Sequence, residues 1–348
     1  MMKKLYRSAW QLIKNGECFV QATVLTQSGS SPRTAGAKMI VRQDQSIVGT
    51  IGGGLVEAEV QKMAQDIFET KESIIRQFNL TGAQSGEMGM ICGGKMEILV
   101  EYLDAADPLL HTLYQDIIKA IETGEKTVLV TPLSQRKKDQ GAEAFLIKNT
   151  GSITGLFNGP AAWLERLAGA AKGKYPRVVV LEENRFLLEP INTYGTVYIF
   201  GAGHVSQKLA LLTSMVDFVT VILDDRAAFA NRERFPTADR VVVLENFEQA
   251  FTNLGINEES YVVIVTRGHA HDQTVLAQAL KTTACYIGMI GSQKKRDTLY
   301  RALKKQGFSA EELAKVYAPI GLDIDAETPE EIAVSITAEL IKVRAGQN

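Results

Sequence analysis

The stretch of sequence that decides the fold is TVYIFGAGHVS, at residues 196–206. Its apolar first half predicts a short buried strand, and Gly201 and Gly203 then allow a tight turn into a helix. A second apolar run, Phe218 to Leu223, follows that helix and ends at Asp224. An acid about 20 residues beyond a glycine turn between a strand and a helix is typical of a dinucleotide-binding βαβ unit.

Alternating strands and helices are predicted from this unit to the end of the chain. A helix is expected over residues 272–281, and further strands are expected at residues 240–244, 261–266 and 284–290. The last helix begins at Thr328-Pro329-Glu330-Glu331, where threonine is a favoured N-cap and glutamate completes a capping box, and runs to about Val343. This alternation predicts a Rossmann-like, doubly wound parallel sheet over residues 196–348.

The N-terminal half mixes helical and strand patterns without regular alternation. Helices are expected near residues 4–14, from residue 55 and near residues 108–121, with strands near residues 19–26, 37–42, 74–79, 96–102, 127–131 and 144–148. Hairpin-like runs then extend to Glu189. We therefore expect an α+β domain over residues 1–190, which a break near residue 104 could divide into two subdomains, and a main boundary at Ile191 to Gly195.

The composition excludes several classes of protein. The formal net charge of −2, from 38 basic and 40 acidic residues, provides no field that would attract nucleic acid or an anionic membrane. No apolar run reaches the roughly 20 residues that span a bilayer, and polar residues interrupt any signal-peptide core. We expect a cytoplasmic protein in which Cys18, Cys92 and Cys285 are reduced thiols.

Three glycine-rich segments in the N-terminal half indicate a ligand site, at residues 29–33, 49–54 and 88–94. Glycine permits φ > 0 and lets backbone amides approach a ligand closely, and concave arrays of amides bind anions. Arg33 and Lys38 add cations around the first segment. Both side chains could contact a ligand or could simply be exposed to solvent.

The second segment leads directly into a predicted helix. Gly52, Gly53 and Gly54 precede the first turn, which contains Glu57. An acid in this position could contact a ligand, but it would also stabilise the helix dipole without any ligand. The residues alone leave both interpretations of Glu57 open.

The third segment places Cys92 before Gly93 and Gly94. Small neighbours leave the sulfur accessible, and surrounding amide dipoles favour the thiolate. A thiolate here could ligate a soft metal or take part in sulfur chemistry. A lone cysteine cannot complete a closed zinc site.

Polar residues also collect at the predicted carboxyl edge of the parallel sheet. His204 follows the first strand, and His269 and His271 follow the strand at residues 261–266. Because these strands are neighbours in this topology, their histidines could converge on the ligand crevice, or they could be solvated loop residues. Ser292 opens a helix start with three cations, which suits either a phosphate or an ordinary charged first turn.

Taken together, these motifs resemble the xanthine dehydrogenase accessory factor family, XdhC/CoxI. The resemblance rests on residues 29–39, 49–57, 92–94, 200–205, 286–292 and 319–333. It departs from the family at Asp325, where glycine is more frequent, and it constrains residues 104–194 only weakly.

The resemblance implies a carrier and assembly factor more than a catalyst. Such a protein is expected to bind molybdenum cofactor (molybdopterin) as cargo and to protect it while sulfide replaces its terminal oxo ligand. It then delivers the cofactor to an apo xanthine dehydrogenase or a related molybdenum hydroxylase. A cysteine desulfurase is the implied sulfur donor, and Cys92 is the implied contact to the molybdenum or its sulfur. Homodimerisation is left open.

We expect one side of the cofactor site to contain Arg33, Lys38, Gly52 to Gly54, Glu57 and Cys92, and we also assign Gly93 and Gly94 to cofactor binding. Glycine nests and cations suit the phosphate of molybdopterin, whereas Glu57 suits the N–H groups of its pterin. The other side is expected to be His204 and the Rossmann crevice.

A competing interpretation from another class is an NAD(P)-dependent oxidoreductase. In it, Gly201, Gly203 and Asp224 would hold the dinucleotide, and His204 or His269 would move a proton. This interpretation leaves the N-terminal glycine segments unexplained. A protein-interaction scaffold with a decayed nucleotide fold is the third option, against which the dense glycine loops argue.

Overall fold

The computed structural model describes residues 2–29, 35–79, 94–133, 143–170, 175–191 and 194–346. The chain divides into two compact units, Met1–Asn192 and Thr193–Asn348. Arg33, Cys92 and Gly93 of the predicted site lie outside the described residues. Within the described part, no helix is both long enough and apolar enough to cross a lipid bilayer.

The first unit contains an antiparallel five-stranded sheet with the strand order β3-β2-β1-β5-β4. Its strands are β1 (Phe19–Gly29), β2 (Lys38–Val41), β3 (Ile47–Gly49), β4 (Ile74–Asn79) and β5 (Gly94–Leu103). Helix α2 (Gly54–Thr70) buries Val56, Val60 and Ile67 against one face, at the spacing the sequence predicts.

A second antiparallel five-stranded sheet completes the first unit, in the order β8-β7-β6-β10-β9. Its strands are β6 (Thr127–Pro132), β7 (Phe145–Lys148), β8 (Ile153–Thr154), β9 (Arg177–Leu181) and β10 (Asn184–Pro190). Helices α1 (Met2–Lys14) and α3 (Pro108–Thr123) pack in a cluster that draws Phe19 and Leu103 from the first sheet and Leu129 and Leu146 from the second. One apolar core therefore joins the two sheets.

Helix α4 (Ala161–Ala170) was not predicted, because hairpin-like runs were expected throughout that region. Leu167 is its one fully buried residue, so the apolar periodicity that would identify a helix is weak. The helix covers the outer face of the second sheet, where Trp163 packs against Phe186.

The second unit is a parallel five-stranded sheet in the order β13-β12-β11-β14-β15. Its strands are β11 (Thr196–Phe200), β12 (Val219–Asp224), β13 (Arg240–Val243), β14 (Ser260–Ile264) and β15 (Tyr286–Met289). Its helices are α5 (His204–Met215), α6 (His269–Ala279), α7 (Gln293–Lys305), α8 (Ala310–Ala314) and α9 (Pro329–Gly346). The predicted Rossmann-like, doubly wound sheet is confirmed.

Both faces of this sheet are buried, as parallel sheets require. Tyr198 and Phe200 of β11 enter one hydrophobic cluster, whereas Val197 and Ile199 enter the cluster on the opposite face. The alternation along β11 therefore lets one strand of five residues serve two cores.

The start of α9 has the predicted cap. Thr328 Oγ1 accepts a hydrogen bond from the Glu331 amide at 3.2 Å, and the Glu331 carboxylate accepts from the Thr328 amide at 2.9 Å. These reciprocal bonds are the capping box that the local sequence indicates, and they fix where the helix begins.

Candidate functional site

The glycine turn after β11 explains why Gly201 cannot carry a side chain. Its φ is +111°, and a Cβ at this position would lie 2.3 Å from the Val265 carbonyl oxygen. Its amide donates to the Leu223 carbonyl at 2.7 Å. Gly201 therefore lets β11 pass between its two neighbouring strands at their carboxyl ends.

Two further positions of the turn have different roles. Gly203 is the N-cap of α5 with φ −80°, and a Cβ there would meet no atom within 4 Å. This leaves open space in front of the helix. Ser206 stands where the G-x-G-x-x-G pattern of dinucleotide-binding turns has its third glycine. It is buried, and its hydroxyl donates to the Gly201 carbonyl at 2.6 Å. The serine thus ties the helix to the turn.

The prediction that β11 and β14 are neighbours is confirmed. His204 and His269 are the first residues of α5 and α6, the helices that follow these two strands, and both are exposed. Two helix N-termini therefore face the switch point of the sheet. His271 does not join them, because its ring packs against Phe247 with centroids 4.8 Å apart. The ligand-binding roles assigned to His204 and His269 stay predictions.

The carboxylate of Asp224, at the end of β12, has hydrogen-bond partners within the chain. Both carboxylate oxygens accept from the Arg226 guanidinium, at 2.8 and 2.9 Å, and Oδ2 also accepts from the Ala202 amide at 2.8 Å. Burial favours the neutral acid, but the hydrogen bonds from Arg226 and Ala202 outweigh it and lower the pKa of Asp224 to about 2. A ribose would have to compete with these contacts, so the geometry does not favour the assigned NAD(P) role of Asp224.

A second ion pair spans the carboxyl end of β11. Arg267 follows β14 and Asp225 follows β12, and their Nη2 and Oδ2 atoms lie 2.7 Å apart. Because β12 and β14 flank β11, this bridge lies across the end of the central strand. Arg267 therefore has an acidic partner within the chain at this edge of the sheet.

The charged start of α7 also has an internal explanation. Ser292 is its N-cap, and its hydroxyl accepts from the Lys295 amide. The Lys295 ammonium pairs with Asp272, whose side chain is fully buried and also accepts from the Thr266 hydroxyl at 2.6 Å. A cation near a helix N-terminus needs a compensating anion, and here Asp272 provides it without a ligand. The assignment of Ser292 to a phosphate stays a prediction.

In the first unit, the second glycine segment folds around Glu57. Its Oε1 atom accepts from the Thr50 hydroxyl at 2.6 Å, from the Gly53 amide at 2.8 Å and from the Ile51 amide at 3.1 Å. Burial opposes ionisation, but these hydrogen bonds prevail and hold the pKa of Glu57 below its usual value. The nest of amides is therefore already filled by a carboxylate of the same chain.

The backbone geometry requires the glycines of this loop. Gly52, Gly53 and Gly54 have φ values of +134°, +79° and +61°, a region that other residues rarely adopt. Gly53 is the N-cap of α2, so the loop and the helix start form one structure. The predicted nest exists, and Glu57 is its anion.

Lys38 has an internal partner as well. Its ammonium lies 3.0 Å from Glu189 Oε2 of β10 and donates to the Thr23 hydroxyl at 2.9 Å. The Lys38 and Glu189 side chains are 3% and 0% exposed. Burial raises the pKa of Glu189, and the nearby Lys38 opposes that shift. The pair joins the two sheets, and these contacts give no support to a ligand role for Lys38.

A cavity of about 640 Å³ opens at the end of the first sheet where β1 and β4 end and β5 begins. Gly94, the last glycine of the third segment, is the first residue of β5 and pairs with Gly29. In sequence, residues 30–34 follow β1 and residues 80–93 lie between β4 and β5, so the segments that hold Arg33 and Cys92 adjoin strands that line the cavity. The polar lining includes Thr26, Gln27, Ser28, Gln77, Asn79 and Lys95.

Sequence reasoning missed these lining residues. The signal that could have identified them is the row of amide side chains at strand ends beside glycine segments. Phe78 and Met96 add apolar contact surface to the lining. The described part of the lining therefore combines donors, acceptors, a cation and apolar atoms, as small-molecule sites do.

Glu97 is the acidic residue of the described cavity lining, and an ion pair with Arg185 holds its carboxylate in place. Arg185 of β10 donates to both of its carboxylate oxygens, at 3.0 and 2.5 Å, in a bidentate pair. Such a pair fixes the plane of the carboxylate. Within the described ranges, no three His, Cys, Asp or Glu side chains come together as metal ligands would.

These features define a class of protein: an antiparallel α+β unit with a polar cavity, linked to a Rossmann-type unit with a glycine turn. The chain belongs to the XdhC and CoxI family. The profile described as XdhC and CoxI family matches residues 12–79, and the profile described as XdhC Rossmann domain matches residues 197–340.

Similar proteins extend this relationship over nearly the whole chain. A probable xanthine dehydrogenase subunit of Bacillus subtilis is 26% identical over 96% of this chain and 95% of its own length. The molybdenum cofactor insertion chaperone PaoD of Escherichia coli is 23% identical over 99% of this chain and 89% of its own length. The uncharacterized protein YqeB of Escherichia coli is 25% identical over 98% of this chain, which spans only 46% of YqeB.

A crystal structure described as a xanthine dehydrogenase from Bacillus halodurans matches with a TM-score of 0.78 and 25% identity, covering 99% of this chain and 96% of that one. Family membership and these relatives support an accessory role in enzyme maturation.

Proposed function

We propose that this chain binds molybdenum cofactor as cargo, protects it during sulfuration and delivers it to an apo xanthine dehydrogenase-type molybdenum hydroxylase. A cysteine desulfurase supplies the sulfur in this scheme. The proposal is supported by family membership and by the name of one relative, the molybdenum cofactor insertion chaperone PaoD.

The observation that carries the proposal is the cavity where β1 and β4 end and β5 begins. Its volume of about 640 Å³ lies in the range of small-molecule sites, about 300–1,000 Å³. Gln27, Gln77 and Asn79 each offer both a donor and an acceptor, which suits a pterin with N–H groups and a carbonyl on one edge. Lys95 suits a terminal phosphate.

In this proposal Cys92 faces the dithiolene and metal end of the cargo. In sequence, Cys92 stands two residues before Gly94, the first residue of β5, and β5 lines the cavity. A cysteine thiolate is a suitable ligand for a soft metal centre. When bound, the cargo supplies the metal and its exchangeable ligand, and this chain supplies recognition and exclusion of water.

The NAD(P) interpretation receives less support from the contacts. Asp224 is committed to Arg226 and Ala202, and the Asp225–Arg267 bridge lies across the end of β11. A dinucleotide would have to displace both. We retain it as the competing outcome of the same experiment.

The test is anaerobic binding of molybdenum cofactor, released from a donor enzyme, to the purified reduced chain. Molybdenum and pterin are measured in the protein fraction, and NADH is titrated in parallel. We expect stoichiometric cofactor binding at micromolar or lower concentration and no saturable NADH binding. NADH binding without cofactor binding would contradict the proposal.

Two pairs of variants locate the site. Lys95→Ala should weaken cofactor binding about tenfold or more, whereas Lys62→Ala, an exposed lysine on α2, should not. Cys92→Ala should reduce activation of an apo-hydroxylase, whereas Cys18→Ala should leave it unchanged. Equal effects within either pair would remove that residue from the site.

A further inference from the structure

The register of the first sheet arranges six polar side chains of the cavity lining in two rows across β1, β5 and β4. The rows are Ser28–Lys95–Asn79 and Thr26–Glu97–Gln77. Side chains of residues paired in this way project from the same face of a sheet. Lys95 and Glu97 are two residues apart on β5, so the two rows share that face as well. The lining is therefore an ordered surface with one charged residue at the centre of each row.

Along β5, this face passes from solvent into the contact between the two sheets of the first unit. Lys95 is exposed, and the side chain of Glu97 is 11% exposed. Leu99 is 3% exposed, in an apolar cluster that includes Leu187 of β10. Arg185, which pairs with Glu97, stands two residues before Leu187 on that strand. Glu97 therefore forms the floor of the cavity, and Lys95 lies about 7 Å nearer the mouth, since an antiparallel strand rises about 3.4 Å per residue.

The carboxylate of Glu97 is charge-compensated but still has an acceptor position to offer. Its two oxygens have about four acceptor positions. The described contacts use one on Oε1, for Arg185, and two on Oε2, for Arg185 and for the Thr26 hydroxyl at 3.4 Å. Because Arg185 balances the charge, Oε1 provides an acceptor at a site without net charge. Such a site suits a neutral group that donates an N–H bond and disfavours a phosphate or carbonyl oxygen.

We propose that Glu97 is the acid that recognises the ring of the cargo. Its Oε1 atom accepts an N–H bond from the 2-amino-4-oxo edge of the pterin, and the amide of Gln77, beside it in the row, completes the contact with that edge. The inference rests on the proposed function and deepens it, because it determines which end of the cargo enters first. The ring lies at the floor, and the phosphate lies nearer Lys95. Glu57, to which the sequence assigned this role, is instead bonded by its own loop.

The contact distinguishes rings by their hydrogen-bonding pattern. In pterin, the 2-amino group and the N3–H group are adjacent donors, and a carboxylate offers acceptors alone. Lumazine has a carbonyl in place of the amino group, and that oxygen would face the carboxylate. A hydrogen bond to a charged group changes binding by roughly ten- to a hundredfold. The unmodified chain should therefore bind pterin at least about tenfold more tightly than lumazine.

The test is fluorescence titration of the reduced full chain with pterin and with lumazine as the two probes. Glu97→Gln should abolish the preference for pterin, because the amide can donate to the lumazine carbonyl and offers fewer acceptors to pterin. The ratio of the two affinities, measured on one sample, does not depend on the folded fraction. Lower stability caused by the altered contact with Arg185 therefore cannot imitate the result. Glu17→Gln, which breaks the exposed Glu17–Arg42 ion pair of the same unit, is the matched control and should keep the preference.

The assignment of Glu97 is overturned if the unmodified chain binds the two rings equally, or binds neither at millimolar concentration. A preference that survives Glu97→Gln also overturns it, and Glu97 then serves to link the two sheets. Binding of molybdenum cofactor separates these results from the proposed function. If Lys95→Ala weakens cofactor binding and Glu97→Gln does not, the carrier function stands and the ring assignment alone fails. If the unmodified chain binds no cofactor, the proposed function fails and the ring assignment fails with it.

Discussion

At the scale of single residues, three of the charges that suggested ligand contacts have partners within the chain. Lys38 pairs with Glu189, Glu57 fills the glycine nest and Asp224 holds Arg226. Charges that leave water must be compensated, and a neighbouring carboxylate or amide does this as well as a ligand does. Fixed internal charges of this kind shape the structure around a site, and in our proposal the groups that contact the ligand are instead those of the cavity lining.

The Lys38–Glu189 pair gives a prediction about stability. Lys38→Met or Glu189→Leu alone should lower the free energy of unfolding by about 3–5 kcal/mol, because each leaves one buried charge without its partner. The double variant should recover most of that loss, since neither charge remains. Urea unfolding of the three variants measures this. Lys62→Met, on the exposed Lys62–Glu59 pair, is the control and should change stability by less than about 1 kcal/mol.

Asp224 gives a prediction about pH. Its pKa of about 2 in the folded chain lies below the ordinary value of 3.8, so the ionised form stabilises the fold above about pH 4. That contribution is lost as the pH falls through 2. In urea unfolding between pH 2 and 5, Asp224→Asn should show a shallower loss of stability than the unmodified chain. Asp323→Asn, in an exposed loop, should match the unmodified chain, and equal slopes for all three would contradict the prediction.

At the scale of elements, the glycine turn after β11 and the glycine loop before α2 have different structural roles. The turn after β11 needs glycine where strands crowd together, at Gly201, and leaves open space at Gly203. The loop before α2 needs glycine for its backbone conformation and closes around a carboxylate. Similar glycine patterns in sequence thus produce an open helix start in one unit and a filled one in the other.

The turn after β11 predicts that two alanine substitutions differ strongly in their effect on stability. Gly201→Ala should destabilise the second unit by about 3 kcal/mol or more, because the new Cβ meets the Val265 carbonyl at 2.3 Å and φ is +111°. Gly203→Ala should change stability by less than about 1 kcal/mol, since no atom lies within 4 Å and φ is −80°. Thermal unfolding distinguishes them. Comparable losses would show that Gly203 has a backbone role not evident from these contacts.

The glycine loop before α2 predicts that an added anion restores stability lost when Glu57 is removed. Glu57→Ala leaves the Thr50 hydroxyl and the Ile51 and Gly53 amides without their acceptor and should cost about 1–3 kcal/mol. Formate should restore part of the melting temperature, whereas chloride at equal ionic strength should restore less, because a carboxylate matches the vacated group. Glu69→Ala, exposed on the same helix, should show neither effect.

At the scale of the whole molecule, each unit contains its own core. Among the described residues, both hydrophobic clusters of the second unit draw only on positions from Tyr194 onward. The clusters of the first unit draw, within the same described ranges, only on positions up to Ile191. A segment with a complete core is expected to fold alone.

We therefore predict that residues 194–348, expressed alone, unfold in one cooperative thermal transition, and that the full chain shows two transitions by calorimetry. Far-ultraviolet circular dichroism and amide exchange check that the fragment retains its sheet. A fragment without protected amides would place the folding boundary elsewhere than at residues 191–195.

The sequence alone determined the features that depend on a few adjacent residues. The apolar run and glycines of residues 196–206 gave the βαβ unit, and Thr328 with Glu331 gave the start of α9. Strand periodicity, positive φ and helix caps act over one or two turns of chain, so local sequence specifies them. The alternation of such elements was enough to predict the parallel sheet and the adjacency of β11 and β14.

Only the tertiary structure decided which charges meet and where the cavity opens. Glu97 and Arg185, and likewise Lys38 and Glu189, stand far apart in sequence and come together because two sheets pack through a common core. The amide side chains of Gln27 and Gln77 share a cavity because β5 lies between β1 and β4. No local pattern encodes such pairings, since they depend on strand order and on the packing of one sheet against the other.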